Sequence, residues 1–268
     1  MKTFPKICAS VASNPSQLGV KMHNAGYYAK NLDYTYVAIG ANEILEAINV
    51  LKDLNIRGMG VSMPFKQSVI DYLDEVDESV RVIGACNTVV NDEGHLKGYN
   101  TDWIGAQNAI MEKVDISKLH RAVIIGSGGV ARAIAYALKV NGLKVYVSAR
   151  NAIQRKEIVK DLNLDGETDL ENQGKFDADI VINATPDSTS NGPVNLDKHL
   201  KATVVFDVAF NAYMTDLTRN AESRGLIYIS GWRMLLLQGV KQFELYTCEK
   251  APVEEMGNVI LNWLKDLK

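Results

Sequence analysis

Three glycines and a serine follow an apolar run in the middle of the chain, in the segment GSGGVARA. The run Val123–Ile125 predicts a buried strand, and residues 131–138 predict a helix. In this order, the first glycine permits a tight turn, the next lets the backbone approach a pyrophosphate, and the helix N-terminus offers free N–H groups. The segment predicts a dinucleotide site; a plain glycine turn is the alternative. Its residues are Gly126, Ser127, Gly128, Gly129, Val130 and Ala131.

The end of the next strand selects between the two nicotinamide dinucleotides. About 20 residues past the turn, NAD enzymes place Asp or Glu to hydrogen-bond the ribose 2′-hydroxyl. This chain instead has Arg150, with Arg155 and Lys156 shortly after it. An arginine can form two hydrogen bonds to a 2′-phosphate, which a carboxylate would repel. The sequence therefore favours NADP as the cofactor, and a solvated loop arginine is the alternative.

Polar side chains also gather at turns in the first third of the chain. Lys66 closes the segment VSMPFK, where a short apolar run ends at a proline, and Asn87 and Asp102 lie in the segments GACNT and GYNTD. In α/β proteins ligands bind at the carboxyl ends of strands, where we expect these residues. Because a charge in a loop is more often solvated than catalytic, each segment alone is weak support for a site.

Together with the glycine turn, these segments resemble the shikimate dehydrogenase family. That family pairs VTxPxK, GAxNT and GxNTD segments with a GxGGxA turn, an NAT segment and a late GxxML…Q helix. This chain has VSMPFK, GACNT, GYNTD, GSGGVA, NAT at residues 183–185 and GWRMLLLQ at residues 231–238. The motifs stand in the family's order and span most of the chain.

The resemblance implies an NADP-dependent oxidoreductase of aromatic amino acid biosynthesis. It would move a hydride reversibly between 3-dehydroshikimate and shikimate or a closely related hydroxy ring acid. Lys66 and Asp102 would be the catalytic pair, since a lysine can transfer the hydroxyl proton when its surroundings tune its pKa. The implied substrate residues are Ser16, Ser62, Asn87 and Gln238. Asn183, Thr185 and Gly231 would join the glycine turn and Arg150 in binding the cofactor.

The N-terminal part of the chain departs from the family pattern. Typical members bind the substrate carboxylate with two serines in an HSxSPxxHN segment, and counting back from the HN pair puts these positions on Gln17 and Gly19. Ser13 or Ser16 could compensate after a local shift. Losing one or two charge-assisted hydrogen bonds, each worth roughly 1.5–3 kcal/mol, would weaken shikimate binding by about one to several decades.

These departures place the chain nearer the shikimate-dehydrogenase-like branch of the family. They leave open a quinate- or aminoshikimate-type dehydrogenase. A catalytically weak NADP-binding paralogue, such as a sensor or carrier, is the alternative outside enzymes. The presence of both Lys66 and Asp102 argues against a pure sensor, because a protein that only binds NADP needs no catalytic pair.

Strands and helices alternate along most of the chain, which is typical of α/β proteins. Continuous apolar strands predict a parallel sheet covered on both faces. We expect an N-terminal α/β substrate domain of residues 1–103, completed by C-terminal helices from 238 to 268 that pack back on it. Residues 104–237 would form the Rossmann-type domain. Strands are predicted at 36–39, 58–64, 87–90, 123–125, 145–147, 180–182 and 204–206, and helices at 41–54, 131–138, 232–247 and 253–266.

The composition of the chain limits the kinds of partner it is expected to bind and the cellular compartment in which it is expected to act. The 268 residues are 47% hydrophobic and 23% charged, with a net charge of −3 and no Lys/Arg block, which argues against nucleic acid. The N-terminal apolar run is too short for a signal peptide, and no 18-residue apolar run suggests a membrane span. Three dispersed cysteines fit a reducing compartment, and four scattered histidines suggest no metal site. We expect a cytoplasmic monomer or homodimer with a small-molecule substrate.

Overall fold

The computed structural model describes residues 5–267. Residues 1–4, which open the N-terminal segment considered for a signal peptide, and residue 268 lie outside the described residues. Contacts within the chain define two units. The first runs up to Thr101 and includes Gln238–Asp266, and the second is Asp102–Leu237. The two are described separately below as the first unit and the second unit.

The first unit contains a six-stranded sheet. Its elements up to Thr101 are β1 (Lys6–Ala12), α1 (Gln17–Ala29), β2 (Tyr34–Gly40), α2 (Ile44–Asp53), β3 (Gly58–Val61), β4 (Glu75–Val76), α3 (Glu78–Ile83), β5 (Thr88–Asp92) and β6 (His95–Tyr99). The strand order is β2-β1-β3-β5-β6-β4. β1 pairs parallel with β2 and β3, whereas β5 is antiparallel to both β3 and β6. The hairpin of β5 and β6 makes this sheet mixed. The prediction of a parallel sheet concerned the strands after residue 104.

The strand predicted at 58–64 ends at Val61, three residues early. Ser62 still donates its N–H to the Val11 carbonyl at 2.9 Å, but Phe65 then donates to the Ser62 carbonyl at 2.9 Å and closes a turn. Pro64 stands inside this turn, where it has no N–H to offer to a neighbouring strand. The turn therefore directs the chain away from the sheet just before Lys66.

The second unit has the Rossmann-type alternation. Its elements are α4 (Asp102–Met111), β7 (Arg121–Ile125), α5 (Gly129–Val140), β8 (Lys144–Ser148), α6 (Ala152–Asp161), β9 (Gly166–Thr168), β10 (Ile180–Asn183), β11 (Val204–Asp207), α7 (Asp216–Ser223) and β12 (Ile227–Ser230). All pairs in the sheet β12-β11-β10-β7-β8-β9 are parallel. Apolar side chains of Ile124, Val145 and Ile180 are buried with those of α4 and α5. This confirms the predicted parallel sheet for this unit.

Two C-terminal helices complete the chain, α8 (Gly231–Thr247) and α9 (Val253–Asp266). From Gln238 onward they belong to the first unit, where α9 packs against α1. Gly26 of α1 makes room for this packing, since a Cβ there would lie 3.0 Å from Phe243 and 3.1 Å from Met256. The prediction that the C-terminal helices pack on the first part of the chain is confirmed. Among residues 5–267, no helix combines the length and apolar character that a membrane span requires.

Gly58 in β3 is required by the packing of α8 on the sheet. A Cβ at this position would lie 2.1 Å from Cδ1 and 2.3 Å from Cε1 of the buried Tyr246 ring. Overpacking a core typically costs about 1–3 kcal/mol. We expect Gly58→Ala to lower the free energy of unfolding in urea by at least this amount. The matched control is Gly19→Ala in α1. Beyond its chain neighbours and the helix backbone, no described atom lies within 4 Å of this Cβ position, and a gain of about 0.5–1 kcal/mol in stability is expected. If Gly58→Ala were as stable as the parent, the packing of Tyr246 against β3 would not require a glycine at position 58.

Candidate active site

The amide of Asn87 lies just before β5, where the first unit brings several predicted segments together. Asn87 is buried, and its Oδ1 accepts hydrogen bonds from the Thr101 backbone N–H at 2.7 Å and the Thr88 hydroxyl at 2.8 Å. Its Nδ2 donates to Thr101 Oγ1 at 3.0 Å and to Gln238 Oε1 at 3.4 Å. The structure thus places the predicted substrate residues Asn87 and Gln238 in one cluster.

The donors and acceptors around Asn87 and Gln238 determine which way each side-chain amide is oriented. A backbone N–H can only donate, so the Asn87 atom facing the Thr101 N–H must be the amide oxygen. The Asn87 nitrogen then faces Gln238, whose facing atom must be its acceptor oxygen. Each amide oxygen is therefore engaged inside the cluster. Both Asn87 amide hydrogens are directed at neighbours, one at Thr101 Oγ1 at 3.0 Å and the other at Gln238 Oε1 at the longer distance of 3.4 Å. The hydrogen that faces Gln238 is the one that a hydroxyl or carbonyl oxygen of a ligand would take.

Lys66 stands on the chain segment next to Asn87. The Cys86 backbone N–H donates to the Lys66 carbonyl at 2.7 Å, and the Val61 N–H donates to the Asn87 carbonyl at 2.8 Å. Because β5 starts opposite the end of β3, both segments lie at one edge of the first unit's sheet. Lys66 is half-buried and Ser62 is exposed. The geometry brings the Lys66 and Asn87 segments together, and the substrate role of Ser62 stays a prediction.

Asp102 is the first residue of α4 and opens the second unit. Its side chain is buried, at 8% exposed. A carboxylate in the first turn interacts favourably with the helix dipole, which accounts for an acidic residue at this position. The preceding residue, Thr101, is held by the Asn87 cluster of the first unit. The pairing of Asp102 with Lys66 stays a prediction.

Ser16 has a structural role that the sequence interpretation did not include. It is the N-cap of α1, and its hydroxyl oxygen accepts the Leu18 backbone N–H at 3.1 Å. Serine is among the strongly preferred N-cap residues because its oxygen satisfies an otherwise unpaired helix N–H. Gln17 and Gly19, which occupy the positions of the family's serines, lie in the first turn of this helix. The substrate role of Ser16 stays a prediction.

Cys86 lies beside the cluster but is held as a neutral thiol. Burial raises its pKa to about 12, and its Sγ donates to the Thr88 carbonyl at 3.2 Å. A nucleophilic cysteine needs a thiolate, which requires a lowered pKa. These observations agree with Cys86 having no role as a nucleophile.

The glycines predicted to bind the cofactor fall into two groups that differ in what requires a glycine. Gly126 has φ +124°, and a Cβ there would lie 3.0 Å from the Ala184 carbonyl oxygen. Gly231 is closer still to its neighbour, with a Cβ position 2.1 Å from the Val208 carbonyl oxygen. Both are therefore required by the packing of the second unit. A cofactor contact of Gly231 stays a prediction.

Gly128 and Gly129 are different, because they are exposed and no described residue beyond their chain neighbours and the backbone of α5 places an atom within 4 Å of either Cβ position. Neither has a positive φ. Gly128 is the N-cap of α5, and Gly129 begins the helix. Protein packing therefore gives no reason for two glycines here, whereas close approach of a ligand backbone to the helix N-terminus does. This arrangement fits a pyrophosphate bound at an open glycine cradle formed by Gly128 and Gly129. Ser127, Val130 and Ala131 flank this cradle in the sequence.

Asn183 was predicted to contact the cofactor, and the structure gives its side chain an internal role. It is fully buried, its Nδ2 donates to Asp207 Oδ1 at 2.9 Å, and its Oδ1 accepts from the Thr185 hydroxyl at 2.8 Å. Burial raises the pKa of the Asp207 carboxyl, which also accepts from the Thr215 hydroxyl. Asn183 thus holds the loop that carries the half-buried Thr185, whose cofactor contact stays a prediction.

Arg150 lies exposed at the end of β8, where a 2′-phosphate is expected. Arg155 instead turns inward, donating through Nε to Glu167 at 2.5 Å and through a terminal nitrogen to the Ala149 carbonyl. It therefore fixes the loop beneath Arg150. Of the two further cations noted in the sequence, Lys156 is the exposed one.

The Asn87 cluster of the first unit contains two residues that the sequence analysis did not predict as site residues. Thr88 and Gln242 join the Asn87 cluster, since Gln242 Nε2 donates to Thr88 Oγ1 at 3.0 Å and to the Asn87 carbonyl at 3.2 Å. The available signal was spacing, because Gln242 follows Gln238 by one helical turn. Within the described part of the chain, no group of three or more His, Cys, Asp or Glu side chains could hold a metal ion.

Comparison with known proteins agrees with the motif order. Residues 16–89 match the family model described as the shikimate dehydrogenase substrate binding domain. The chain is 36% identical over 261 residues to a shikimate dehydrogenase (NADP(+)) of Desulforamulus reducens, covering 89% of this chain and 88% of that protein. It is also 36% identical over 258 residues to a shikimate dehydrogenase-like protein of Haemophilus influenzae, covering 94% and 93%.

Solved structures support the same relationship. Quinate dehydrogenase from Corynebacterium glutamicum, determined in complex with NAD, has a TM-score of 0.90 to this chain at 27% identity. The similarity covers 97% of this chain and 100% of that one. From the motifs, the fold and these relatives, we conclude that the chain belongs to the shikimate dehydrogenase family.

Proposed function

We propose that this protein is an NADP-dependent dehydrogenase that interconverts shikimate and 3-dehydroshikimate. The observation that carries the proposal is the cluster in which the buried Asn87 amide hydrogen-bonds to the half-buried Gln238 amide. The open glycine turn and the 36% identity to an NADP(+) enzyme support the same function. We assign the first unit as the substrate domain and the second as the NADP-binding domain. The dispersed free cysteines favour the cytoplasm, where the protein would act as a monomer or homodimer.

In this proposal the side chains of the first unit bind and orient the ring. Asn87 and Gln238 donate hydrogen bonds to ring oxygens, which holds the reacting carbon in place. Lys66 takes the proton that leaves the hydroxyl, and Asp102 orients the ammonium group that forms; in the reverse direction the ammonium returns this proton. NADP, when bound, supplies the acceptor for the hydride that leaves the same carbon. The glycine turn and Arg150 would hold that cofactor.

The test is an initial-rate screen of shikimate, quinate and aminoshikimate, each with NADP and with NAD. We expect the highest kcat/KM for shikimate with NADP. Faster oxidation of quinate, or a preference for NAD, would assign the protein to the quinate-type alternative. Tight NADPH binding without NADP reduction by any ring acid would instead support a sensor or carrier.

The altered N-terminal segment gives a separate prediction about affinity. If Gln17 and Gly19 occupy the places of two carboxylate-binding serines, Gln17→Ser with Gly19→Ser should lower the KM for shikimate by about tenfold or more. Gln17→Ala with Gly19→Ala is the control, because it makes the same backbone change without hydroxyls. Initial rates with varied shikimate measure the effect. An equal fall in KM for both double variants would show that the hydroxyls bind no carboxylate.

A further inference from the structure

Gln242 is a residue of α8 with a buried side-chain amide, and it contacts the segment that carries the candidate substrate residue Asn87. It is 6% exposed and sits one turn after Gln238. Its Nε2 donates to the Asn87 carbonyl at 3.2 Å and to Thr88 Oγ1 at 3.0 Å. Both hydrogens of this amide group are therefore directed at the Asn87–Thr88 segment.

The Thr88 hydroxyl transmits this contact to the Asn87 side chain. A hydroxyl has a single hydrogen. Because Gln242 donates to the Thr88 oxygen, the Thr88 hydrogen is left to donate, and Asn87 Oδ1 lies 2.8 Å away. Asn87 Oδ1 also receives the Thr101 backbone N–H. Two donors on the amide oxygen keep the Asn87 nitrogen turned toward Gln238.

The buried His23 side chain is a further hydrogen-bond partner of Gln242. At Gly60, a Cβ would lie 3.4 Å from Gln242 Nε2 and 2.9 Å from the Tyr36 hydroxyl oxygen. The Tyr36 ring stacks on His23 at 4.3 Å, and burial lowers the His23 pKa to about 4. Gln242 is thus backed by uncharged groups at neutral pH, so its hydrogen bonds rather than a charge carry its effect.

We propose that Gln242 is a positioning residue that acts through Thr88 to hold the Asn87 amide in its donating orientation. The inference rests on the proposed function, since it assigns Asn87 the task of donating to a ring oxygen of the substrate. Gln242 itself does not touch the substrate in this scheme. Its contribution is to prevent the Asn87 amide from rotating and presenting an acceptor oxygen instead.

Kinetics of four variants test the link. We expect Gln242→Met and Thr88→Val each to raise the KM for shikimate about fivefold, which is about 1 kcal/mol, the usual worth of one hydrogen bond. Ring binding is weakened equally in the ground and transition states, so kcat should change little. Thr88→Ser keeps the hydroxyl and should retain parental KM. The double variant should be no worse than either single one, as expected for residues acting in series. The KM for NADP should stay within about twofold in all four.

The control for a purely structural effect is Gln173→Met in the second unit. Gln173 is likewise a buried amide, donating through Nε2 to the Leu170 and Pro193 carbonyls at 2.8 and 3.0 Å. It should lose thermal stability as Gln242→Met does but keep the parental KM for shikimate. A raised KM in Gln173→Met, or additive effects of Gln242→Met and Thr88→Val, would overturn the proposal.

A second readout is independent of activity. The side-chain NH₂ signals of Asn87, identified in ¹⁵N spectra by their loss in Asn87→Asp, should shift and exchange faster with water in Gln242→Met. Unchanged Asn87 signals would overturn the proposal even if kinetics changed. If the parent oxidises no ring acid, the proposed function fails while this measurement still tests the link. Thr88→Val provides the same measurement if Gln242→Met does not fold.

Discussion

Replacing Lys66 with methionine is expected to lower kcat for shikimate oxidation by about a hundred- to ten-thousandfold, the usual contribution of a positioned acid–base group. Methionine keeps the length of the aliphatic chain and removes the ammonium group. The loop should keep its place, because it is held through the Lys66 backbone carbonyl and not through the side chain alone. Steady-state rates at saturating NADP and shikimate give the result.

The matched control for this variant is Lys97→Met. Lys97 is a half-buried lysine of the same unit whose ammonium pairs with Glu75 at 2.6 Å. A solvent-exposed ion pair contributes little to stability, so the variant should fold and keep kcat within about twofold. Oxidation by Lys66→Met at the parental rate would remove Lys66 from the proposed mechanism. It would leave the NADP site and the Asn87 cluster untouched.

Arg150→Ala is expected to raise the KM for NADP by about ten- to a hundredfold, since a charge-assisted hydrogen bond contributes about 1.5–3 kcal/mol. The KM for NAD should change little, because NAD has no 2′-phosphate. Varying each cofactor at fixed shikimate measures the two effects. Recognition of the 2′-phosphate is measured by the change in the KM for NADP divided by the change in the KM for NAD.

Two arginine variants separate phosphate recognition from loop structure. Arg224→Ala removes an arginine of the same unit that pairs with Asp197 and should leave both cofactor KM values unchanged. Arg155→Ala removes the contacts to Glu167 and Ala149 that hold the loop, so it should weaken both cofactors alike. Equal losses for NADP and NAD in Arg150→Ala would show that Arg150 supports the loop and does not recognise the phosphate.

Local patterns were sufficient to predict the nucleotide turn and the parallel sheet of the second unit. Each of those features depends on neighbouring residues: an apolar strand, a glycine turn and a helix starting within a few positions. The antiparallel pairing of β5 with β3 was not predicted, because these strands are separated by a loop, α3 and the two-residue β4. Strand β6, which forms a hairpin with β5 across Glu93 and Gly94, was missed although its turn is local. The sheet order of the first unit depends on such non-local pairing.

Side-chain partners were the less predictable part of the site. Motif matching named Asn87 and Gln238, yet their common orientation depends on Thr101, which meets them only in the folded unit. The same matching assigned Asn183 to the cofactor, which stays a prediction, and did not indicate that its buried amide hydrogen-bonds to Asp207 and Thr185. A motif identifies which residues matter near a site, and only the hydrogen bonds decide whether each contacts a ligand or supports a neighbour.

The two groups of glycines in the second unit have a consequence for how such a chain can change over generations. Gly126 and Gly231 are held by steric contacts within the protein, so a lineage that abandoned nucleotides would still retain them to fold. Gly128 and Gly129 lack such a constraint from the described residues, and drift would replace them first. The residues at 128 and 129 would therefore distinguish a working dehydrogenase from a folded relic, even where every core position agrees.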